Sequence, residues 1–371
     1  MLYALPFFAG FLLSLGLTPG VIWLAKKFGL LQKPRPRDLH RTPKPRIGGL
    51  VLFTVFTIVI LVTNWLRPDI FAQFGFPYKF WIFSIDKRLL GILASGAFVT
   101  AVMLYDDIYG LHPYIKLSAQ ITAALIAIFA GIGLVYLNNP FGNTIYLDTI
   151  KIPVRIGENI YHFVLWADLL FLVWAVGMMN AVNFIDGLDG LASGICLLAV
   201  LVIAFVSFKP EVNQPATALT AIILAGTILG FLPYNFFPAK IFLGDAGAMF
   251  LGLMLAILSV ISGGKLAALF LVLAVAIIDG LLVVLGRLWR GENPLTRPDQ
   301  THVHHRFLKA GFSPAATVAI IWAISAVFGM IGLITAGRLK LYLAGAMSLL
   351  LVGIFWLLNL ACRQKTLRKN S

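Results

Sequence analysis

The chain has 371 residues, of which 60% are hydrophobic and 12% are charged, and its mean hydropathy is +0.93. Soluble domains carry roughly 25% charged residues, so this composition excludes a water-soluble fold. The formal net charge of +14 raises nucleic-acid binding as an alternative, but the basic residues gather beside apolar segments, where membrane topology and anionic lipids require them. We therefore expect a membrane bilayer and no nucleic acid among the partners.

Apolar segments recur along the whole chain at the length of about 20 residues that a helix needs to cross a bilayer. They predict an all-α, polytopic integral membrane protein with about 11 transmembrane helices, forming a single domain over residues 1–371. The predicted spans are 3–25, 47–66, 88–105, 116–136, 162–183, 189–208, 215–233, 242–261, 266–287, 314–336 and 340–361.

Two predicted loops are rich in lysine and arginine. The first contains Lys26, Lys27, Lys33, Arg35, Arg37, Arg41, Lys44 and Arg46, and the ninth contains Arg287, Arg290, Arg297, Arg306 and Lys309. Short basic loops remain in the cytoplasm. With an odd number of spans, this rule predicts a multi-pass protein of the cell inner (plasma) membrane, with its N-terminus outside and its C-terminus in the cytoplasm.

The segment 137–160 lies on the predicted outer side. It has strand-like runs at 144–147 and 150–154, on either side of Asp148. Short alternating runs separated by a turn residue are typical of a hairpin. We expect a small outward-facing β-hairpin without a catalytic role.

Acidic residues end the third predicted span. Asp106 and Asp107 are adjacent in Leu-Tyr-Asp-Asp-Ile-Tyr-Gly. Neighbouring carboxylates repel each other unless a cation or proton intervenes, and Mg²⁺ prefers carboxylate oxygens together with substrate phosphates. A solvated turn with a helix cap is the alternative for this pair taken alone.

A second polar motif joins the fifth and sixth spans, in Asn-Ala-Val-Asn-Phe-Ile-Asp-Gly-Leu-Asp-Gly-Leu at 180–191. Polar residues three apart lie near one another on a helix, and Gly187 and Gly190 allow the backbone to approach a ligand closely. A structural helix-turn-helix is the alternative.

A third motif places Asn235 and Asp245 on either side of a short turn that contains Pro238. Asp245 stands at the start of a span, where free backbone amides can bind an anion. It is therefore a candidate ligand or, equally, an N-cap.

The ninth loop carries His302, His304 and His305 before Arg306. Zinc is one interpretation, but no cysteine lies nearby. Imidazoles beside arginine suit a phosphate or sugar hydroxyls better, and a solvated loop remains the alternative.

Taken in order, these motifs resemble the polyprenyl-phosphate N-acetylhexosamine-1-phosphate transferases, and the match runs from the first loop to Ser313. The resemblance implies cytoplasmic catalytic loops near 26–47, 105–116, 183–190, 234–245 and 287–313. The sequence His-Val-His-His-Arg resembles the GlcNAc-1-phosphate branch. It implies transfer of N-acetylglucosamine 1-phosphate from UDP-GlcNAc to undecaprenyl phosphate with release of UMP; UDP-MurNAc-pentapeptide or another UDP-N-acetylhexosamine is the alternative.

The resemblance also implies a cofactor, partners and residue roles. Asp245 would bind Mg²⁺, with Asn183 as a further ligand and Mn²⁺ as a substitute ion. The partners would be the UDP-sugar and the polyprenyl phosphate lipid, and a homodimer stays open. The implied catalytic residues are Asp106, Asp107, Lys116, Asp186, His302, His304 and His305. The implied substrate-binding residues are Arg41, Lys44, Gly187, Leu188, Asp189, Asn235, Phe242 and Arg306.

Within these sets, Asp106 and Asp107 would lie beside the metal and the attacking lipid phosphate, and Lys116 would contact the diphosphate. The histidines would face the sugar or the diphosphate. The uracil pocket would consist of Gly187, Leu188, Asp189, Asn235 and Phe242, closed by Arg41 or Lys44.

An ion-coupled membrane transporter is the alternative from another class, because many spans with buried aspartates also describe such proteins. Asp168 and Asp279 lie inside predicted spans and favour it. An interhelical hydrogen bond or ion pair explains both residues better than transport does. The gathering of the other polar residues at one face argues against transport.

Overall fold

The computed structural model describes residues 2–32, 42–71, 79–80, 85–137, 139, 141–156, 159–262, 266–292 and 302–370. The helices are α1 Ala4–Lys27, α2 Gly48–Leu66, α3 Pro68–Phe71, α4 Lys87–Tyr109, α5 Pro113–Phe129, α6 Leu165–Ile185, α7 Leu191–Phe208, α8 Pro215–Asn235, α9 Gly244–Ile261, α10 Leu266–Val272, α11 Ala274–Trp289, α12 Val303–Ala310, α13 Pro314–Ile334 and α14 Gly337–Asn370.

The helical architecture confirms a polytopic all-α membrane protein. Within the described part of the chain, nine helices are long and apolar enough to cross a bilayer. The pair α10 and α11 makes a tenth candidate, bent by 80° at its break, and α5 is a shorter apolar helix. Each predicted span corresponds to one of these helices or to the bent pair.

Within the described ranges, the strands form four separate antiparallel pairs. They are β1 Leu31–Gln32 with β2 Lys44–Pro45, β3 Lys79–Phe80 with β4 Ile85–Asp86, β5 Tyr136–Leu137 with β6 Ile145–Tyr146, and β7 Lys151–Ile156 with β8 Asn159–Val164.

The predicted hairpin around Asp148 is wrong in its pairing. Strand β6 pairs back with β5, so that Tyr136 faces Tyr146, and β7 pairs forward with β8. The prediction assigned the apolar end of β8 to the fifth span, because a short apolar run fits either a strand or the start of a helix. The boundary is decided locally: Val164 N–H donates to Asp168 Oδ2 at 2.7 Å, and α6 begins at Leu165.

Helix α9 is the centre of the bundle, and nearly all of its side chains are buried. It packs against α6, α4 and α2. Small residues allow these helices to approach closely, as is common in membranes. Gly252 of α9 lies against the backbone of Met178 and Met179 in α6. The packing fixes the N-terminus of α9 at one end of the bundle, where α2 and α5 also begin and α4, α6 and α8 end.

Replacement of Gly252 by leucine should lower the melting temperature of the detergent-solubilised protein. A Cβ there would stand 2.6 Å from Met179 Cα and 2.7 Å from the Met178 carbonyl oxygen. Overpacking of this kind costs about 1–3 kcal/mol or more. Gly177→Leu is the matched control, because a Cβ at exposed Gly177 of α6 meets nothing within 4 Å. Equal melting temperatures for the two variants would contradict the packing.

Candidate active site

Three carboxylates from two helices meet at this end of the bundle. Asp106 and Asp107 lie in the last turn of α4, and Asp245 lies in the first turn of α9. Each offers an oxygen that lies within 4.8 Å of the others. Gly244, at φ +76°, permits this approach, because a Cβ would stand 2.6 Å from both the Arg46 carbonyl oxygen and Asp107 Oδ2. The helix start therefore requires glycine here.

Asp107 caps α9 from a different helix. Its Oδ1 accepts the Asp245 N–H at 2.9 Å and its Oδ2 accepts the Ala246 N–H at 3.0 Å. The first amides of a helix otherwise lack partners, and a carboxylate also interacts favourably with the helix dipole. The cap that Asp245 was considered to supply is thus supplied by Asp107, and the carboxylate of Asp245 points to other partners.

Two cationic side chains bind Asp245. Lys116 Nζ lies 2.7 Å from Asp245 Oδ2 and 2.5 Å from Asp106 Oδ2. Arg46 Nη2 lies 2.5 Å from Asp245 Oδ1, and its Nε lies 3.2 Å from Asp107 Oδ1. Burial by itself would lower the pKa of Arg46, but the carboxylates of Asp245 and Asp107 outweigh burial and raise it. The guanidinium therefore stays charged.

The sequence did not indicate Arg46 as a site residue, because membrane topology already explains a basic residue beside a span. The signal that points to it is its position: it stands two residues before α2, and the strand pair β1–β2 brings this part of the first loop back to the bundle. Arg41, the other basic residue proposed from that loop, lies outside the described residues.

The cluster could hold a divalent cation. Its oxygen ligands are of the type that Mg²⁺ prefers, and Asn183 adds a carboxamide whose Nδ2 lies 3.2 Å from Asp245 Oδ1. Two cationic side chains, Arg46 and Lys116, lie among the three carboxylates. A cation at Asp245 would replace or share the contacts that these two side chains now make.

Asp186 directly follows α6, close to the same cluster. Burial raises its pKa well above the usual value; Arg46 opposes this, and repulsion from Asp245 and Asp107 adds to it. The charge of Asp186 is therefore sensitive to any cation that enters the site.

The residues proposed for the uracil pocket are brought together beside this cluster. Asp189 Oδ2 accepts the Ala239 N–H at 2.8 Å and lies 3.9 Å from Lys44 Nζ. Lys44 Nζ in turn lies 5.3 Å from the centre of the Phe242 ring. Leu188 is buried in the same turn. Lys44 of the first loop therefore contacts residues of two other loops, Asp189 between α6 and α7 and Phe242 before α9.

Asn235 connects the loops that carry these residues to the helices around them. Its Oδ1 accepts a hydrogen bond from Ser193 Oγ at 2.6 Å, and its Nδ2 donates to the Ile241 carbonyl at 3.1 Å. The carboxamide therefore ties α8 to α7 and to the turn before α9. Ser193, a neutral residue inside an apolar span, gave no signal in the sequence.

The histidines of the ninth loop occupy different environments. His302 Nδ1 lies 2.8 Å from Asp279 Oδ2. His304 is buried, and a Cβ on Gly187 would overlap its ring. Burial, followed by the neighbouring His305 and His302, lowers the pKa of His304 well below its usual value, so this ring is neutral. It contacts the 187–189 turn as an uncharged group.

Arg306 lies against α14. Its guanidinium carbon is 5.9 Å from the centre of the Phe355 ring, and its Nη1 donates to the Phe355 carbonyl at 3.3 Å. His305 packs on His304, with ring centres 4.3 Å apart. Among the described residues, the only group able to offer three close His, Cys, Asp or Glu ligand atoms is Asp106, Asp107 and Asp245, so a zinc site at the histidines finds no support there.

The two aspartates that favoured a transporter both accept backbone hydrogen bonds. Asp168 accepts the Val164 N–H where α6 begins, and Asp279 Oδ1 accepts the Val303 N–H at 2.8 Å. These contacts account for both buried carboxylates as structural partners.

Comparison with known proteins identifies the family. A model of glycosyl transferase family 4 matches residues 89–263. Decaprenyl-phosphate N-acetylglucosaminephosphotransferase of Mycolicibacterium smegmatis is 34% identical over 341 residues, covering 83% of this chain and 78% of that protein. A probable undecaprenyl-phosphate N-acetylglucosaminyl 1-phosphate transferase of Bacillus subtilis is 31% identical over 331 residues, covering 87% and 82%.

Phospho-N-acetylmuramoyl-pentapeptide-transferase of Staphylococcus aureus is 31% identical over 313 residues, covering 83% of this chain and 90% of that protein. The names of these relatives specify different sugars, and each relative matches this chain over most of its length. The chain therefore belongs to glycosyl transferase family 4, within the superfamily of polyprenyl-phosphate N-acetylhexosamine-1-phosphate transferases.

Proposed function

We propose that this protein transfers N-acetylglucosamine 1-phosphate from UDP-GlcNAc to undecaprenyl phosphate and releases UMP. The observation that carries the proposal is Asp245, held between Lys116 and Arg46 and beside Asn183, at the end of the bundle where the spans meet their loops. Such a cluster suits a reaction between a water-soluble diphosphate and a lipid phosphate. The mycobacterial and Bacillus relatives are both named for N-acetylglucosamine, which favours that sugar.

In the proposed reaction, an oxygen of the lipid phosphate attacks the β-phosphorus of the UDP-sugar. The bond from that phosphorus to the oxygen bridging it to the α-phosphate breaks, and UMP leaves with the electron pair. Phosphoryl transfer needs alignment and charge neutralisation more than covalent help. Lys116 and Arg46 are placed to neutralise the diphosphate, and Mg²⁺ or Mn²⁺, held by Asp245 and Asn183, would add Lewis-acid stabilisation of the same charge.

The two adjacent aspartates have separate roles in this proposal. Asp107 uses both oxygens to cap α9, so it acts by fixing Asp245. Asp106 Oδ1 accepts the Leu111 N–H at 2.7 Å, while its Oδ2 binds Lys116. Asp106 is therefore the candidate to hold Lys116 and to receive a proton from the lipid phosphate. The second pKa of a phosphate monoester is about 6, so the lipid phosphate needs little help from a base at neutral pH.

The orientation follows from the same site. We propose that the acid cluster, with Lys44, Arg46 and Lys116, faces the cytoplasm, where UDP-sugars are made. The cytoplasmic loops near 26–47, 105–116, 183–190, 234–245 and 287–313 would then contribute to one catalytic domain. The N-terminus would lie outside the cell and the basic tail inside, as the distribution of basic residues predicts.

Purified protein should release UMP from UDP-GlcNAc in the presence of undecaprenyl phosphate and Mg²⁺. A chelator should abolish release, and added Mg²⁺ or Mn²⁺ should restore it, because the cation neutralises phosphate charge. UMP release is measured across UDP-GlcNAc, other UDP-N-acetylhexosamines and UDP-MurNAc-pentapeptide, and with undecaprenyl and decaprenyl phosphate. A folded sample that releases no UMP from any pair would refute the proposal, and a preference for another sugar would refute only its choice of donor.

Asp245→Asn should reduce kcat by about 10²–10³-fold, since Asp245 would hold the cation that neutralises the phosphates, and loss of one preorganised electrostatic group costs about that much. The substitution keeps the shape of the side chain, so the melting temperature reports separately on folding. Asp148→Asn is the control, because this half-buried carboxylate pairs with Lys151 in the strand region away from the cluster. Wild-type turnover in a folded Asp245→Asn variant would remove this residue from the site.

Asp107→Asn should lower the melting temperature more than Asp106→Asn does. A carboxamide offers one accepting oxygen where α9 needs two, and an unpaired buried amide costs about 1–3 kcal/mol. In Asp106→Asn the remaining oxygen can still accept the Leu111 N–H. Thermal unfolding in detergent compares the two, and a larger loss for Asp106→Asn would contradict the assignment of the cap.

A further inference from the structure

Asp279 is a fully buried carboxylate in an apolar helix, and both of its oxygens are bonded to the ninth loop. Its Oδ2 lies 2.8 Å from His302 Nδ1, and its Oδ1 accepts the Val303 N–H at 2.8 Å. A buried carboxylate is costly unless it is fully hydrogen-bonded. His302 is the N-cap residue of α12 but makes no capping hydrogen bond with its own side chain, so Asp279 supplies the cap from α11.

The contact decides which nitrogen of His302 carries a proton. An ionised carboxylate only accepts hydrogen bonds, so Nδ1 must be the protonated nitrogen. The ring nitrogen left for another partner is Nε2, on a side chain that keeps 11% of its surface exposed. In the neutral ring Nε2 is an acceptor, as in histidines whose tautomer is set by a neighbouring carboxylate.

The orientation of the ring is fixed from both sides. The His302 ring lies 5.8 Å from the His304 ring with an interplanar angle of 2°, and 5.5 Å from the Phe184 ring. Gly280 leaves space for Phe184, since a Cβ there would stand 3.0 Å from that ring. His304 in turn packs on Gly187. A chain of contacts thus runs from Asp279 through two histidines to the proposed uracil pocket.

The ninth span is bent between its two helices, and Asp279 lies beyond the bend. Helix α11 leaves α10 at 80°, so Asp279 is not held in the line of a straight span. Its partners, His302 and Val303, stand at the start of α12, which lies within the ninth loop. An aspartate that the sequence places inside a membrane helix is therefore bonded to the loop that carries the histidines.

We propose that Asp279 is a positioning residue that acts through His302: it holds His302 in the Nδ1-protonated tautomer, anchors the start of α12 to α11, and so presents Nε2 as a hydrogen-bond acceptor to a hydroxyl group of the substrate's sugar. The inference rests on the proposed transferase function. It assigns to Asp279, which lies outside the cluster of Asp106, Asp107 and Asp245, a negative charge that turnover requires.

Asp279→Asn separates the tautomer from the anchoring. The carboxamide oxygen can still accept the Val303 N–H, so α12 stays anchored. The amide NH₂ then faces His302 and forces Nδ1 to accept, which moves the ring proton to Nε2. We expect the melting temperature to change little and kcat to fall by about 10–100-fold, the cost of losing one hydrogen bond to the substrate and leaving its partner unpaired. Asp279→Ala should lower both the melting temperature and kcat, because it also removes the oxygen that accepts the Val303 N–H.

Asp168→Asn is the matched control, since Asp168 is also a buried aspartate that accepts a backbone N–H, from Val164. It should keep wild-type kcat. His302→Ala combined with Asp279→Asn tests whether the two residues act as a unit. The double variant should be no slower than His302→Ala alone. The inference would be overturned if the kcat losses of the two single variants multiply in the double variant, or if Asp279→Asn keeps the wild-type kcat.

The tautomer is measured without turnover by ¹⁵N NMR of protein labelled at its six histidines, with the His302 signal assigned by its absence from His302→Ala. We expect Nδ1 of His302 to be protonated in the wild type and unprotonated in Asp279→Asn. If His302 of the wild type carries its proton on Nε2, the inference is contradicted even if the enzyme is active. A wild-type enzyme that shows the expected NMR signal but releases no UMP would instead refute the transferase proposal.

Discussion

The arrangement of the site depends on Asp107 binding the first two backbone amides of α9. This contact joins the last turn of α4 to the first turn of the most buried helix in the bundle, and Gly244 gives it room. Because α9 is held on several sides by other helices, its N-terminus cannot drift. Asp245, one residue into that helix, is thereby kept beside Asp106 at a separation that side chains on a loop could not maintain.

Charge balance then organises the remaining residues. Negative groups crowded at the edge of a hydrocarbon layer are costly unless cations stand between them. Lys116 from α5 and Arg46 from the first loop occupy those positions, each contacting two carboxylates. The same pairs leave the protein with cationic groups next to a negatively charged pocket, an arrangement suited to exchanging protein carboxylates for the oxygens of a diphosphate.

Parts of the site were predictable because the chemistry appears in short motifs. The Asp106-Asp107 pair, the 180–191 segment and Asp245 were identified from residue type and spacing, and the structure brings them together. Arg46 and Ser193 were not identified, because a basic residue beside a span and a serine within one each have an ordinary explanation. For Asp279 an interhelical hydrogen bond or ion pair was predicted and is confirmed, but its partners were not, since nothing in its own helix points to Val303, 24 residues away.

The amino-acid sequence by itself determined the class of the protein, the approximate spans and the one-sided gathering of polar residues, because hydrophobic length and local motifs are read over short windows. Only the tertiary structure decided which carboxylate caps α9, which cations bind Asp245, and that His304 is buried and neutral. It also decided that β6 pairs with β5 and not with β7. The physical reason is distance along the chain: Lys116, Asp107 and Arg46 reach the first turn of α9 across 129, 138 and 199 residues, and only the packing of whole helices fixes contacts over such separations.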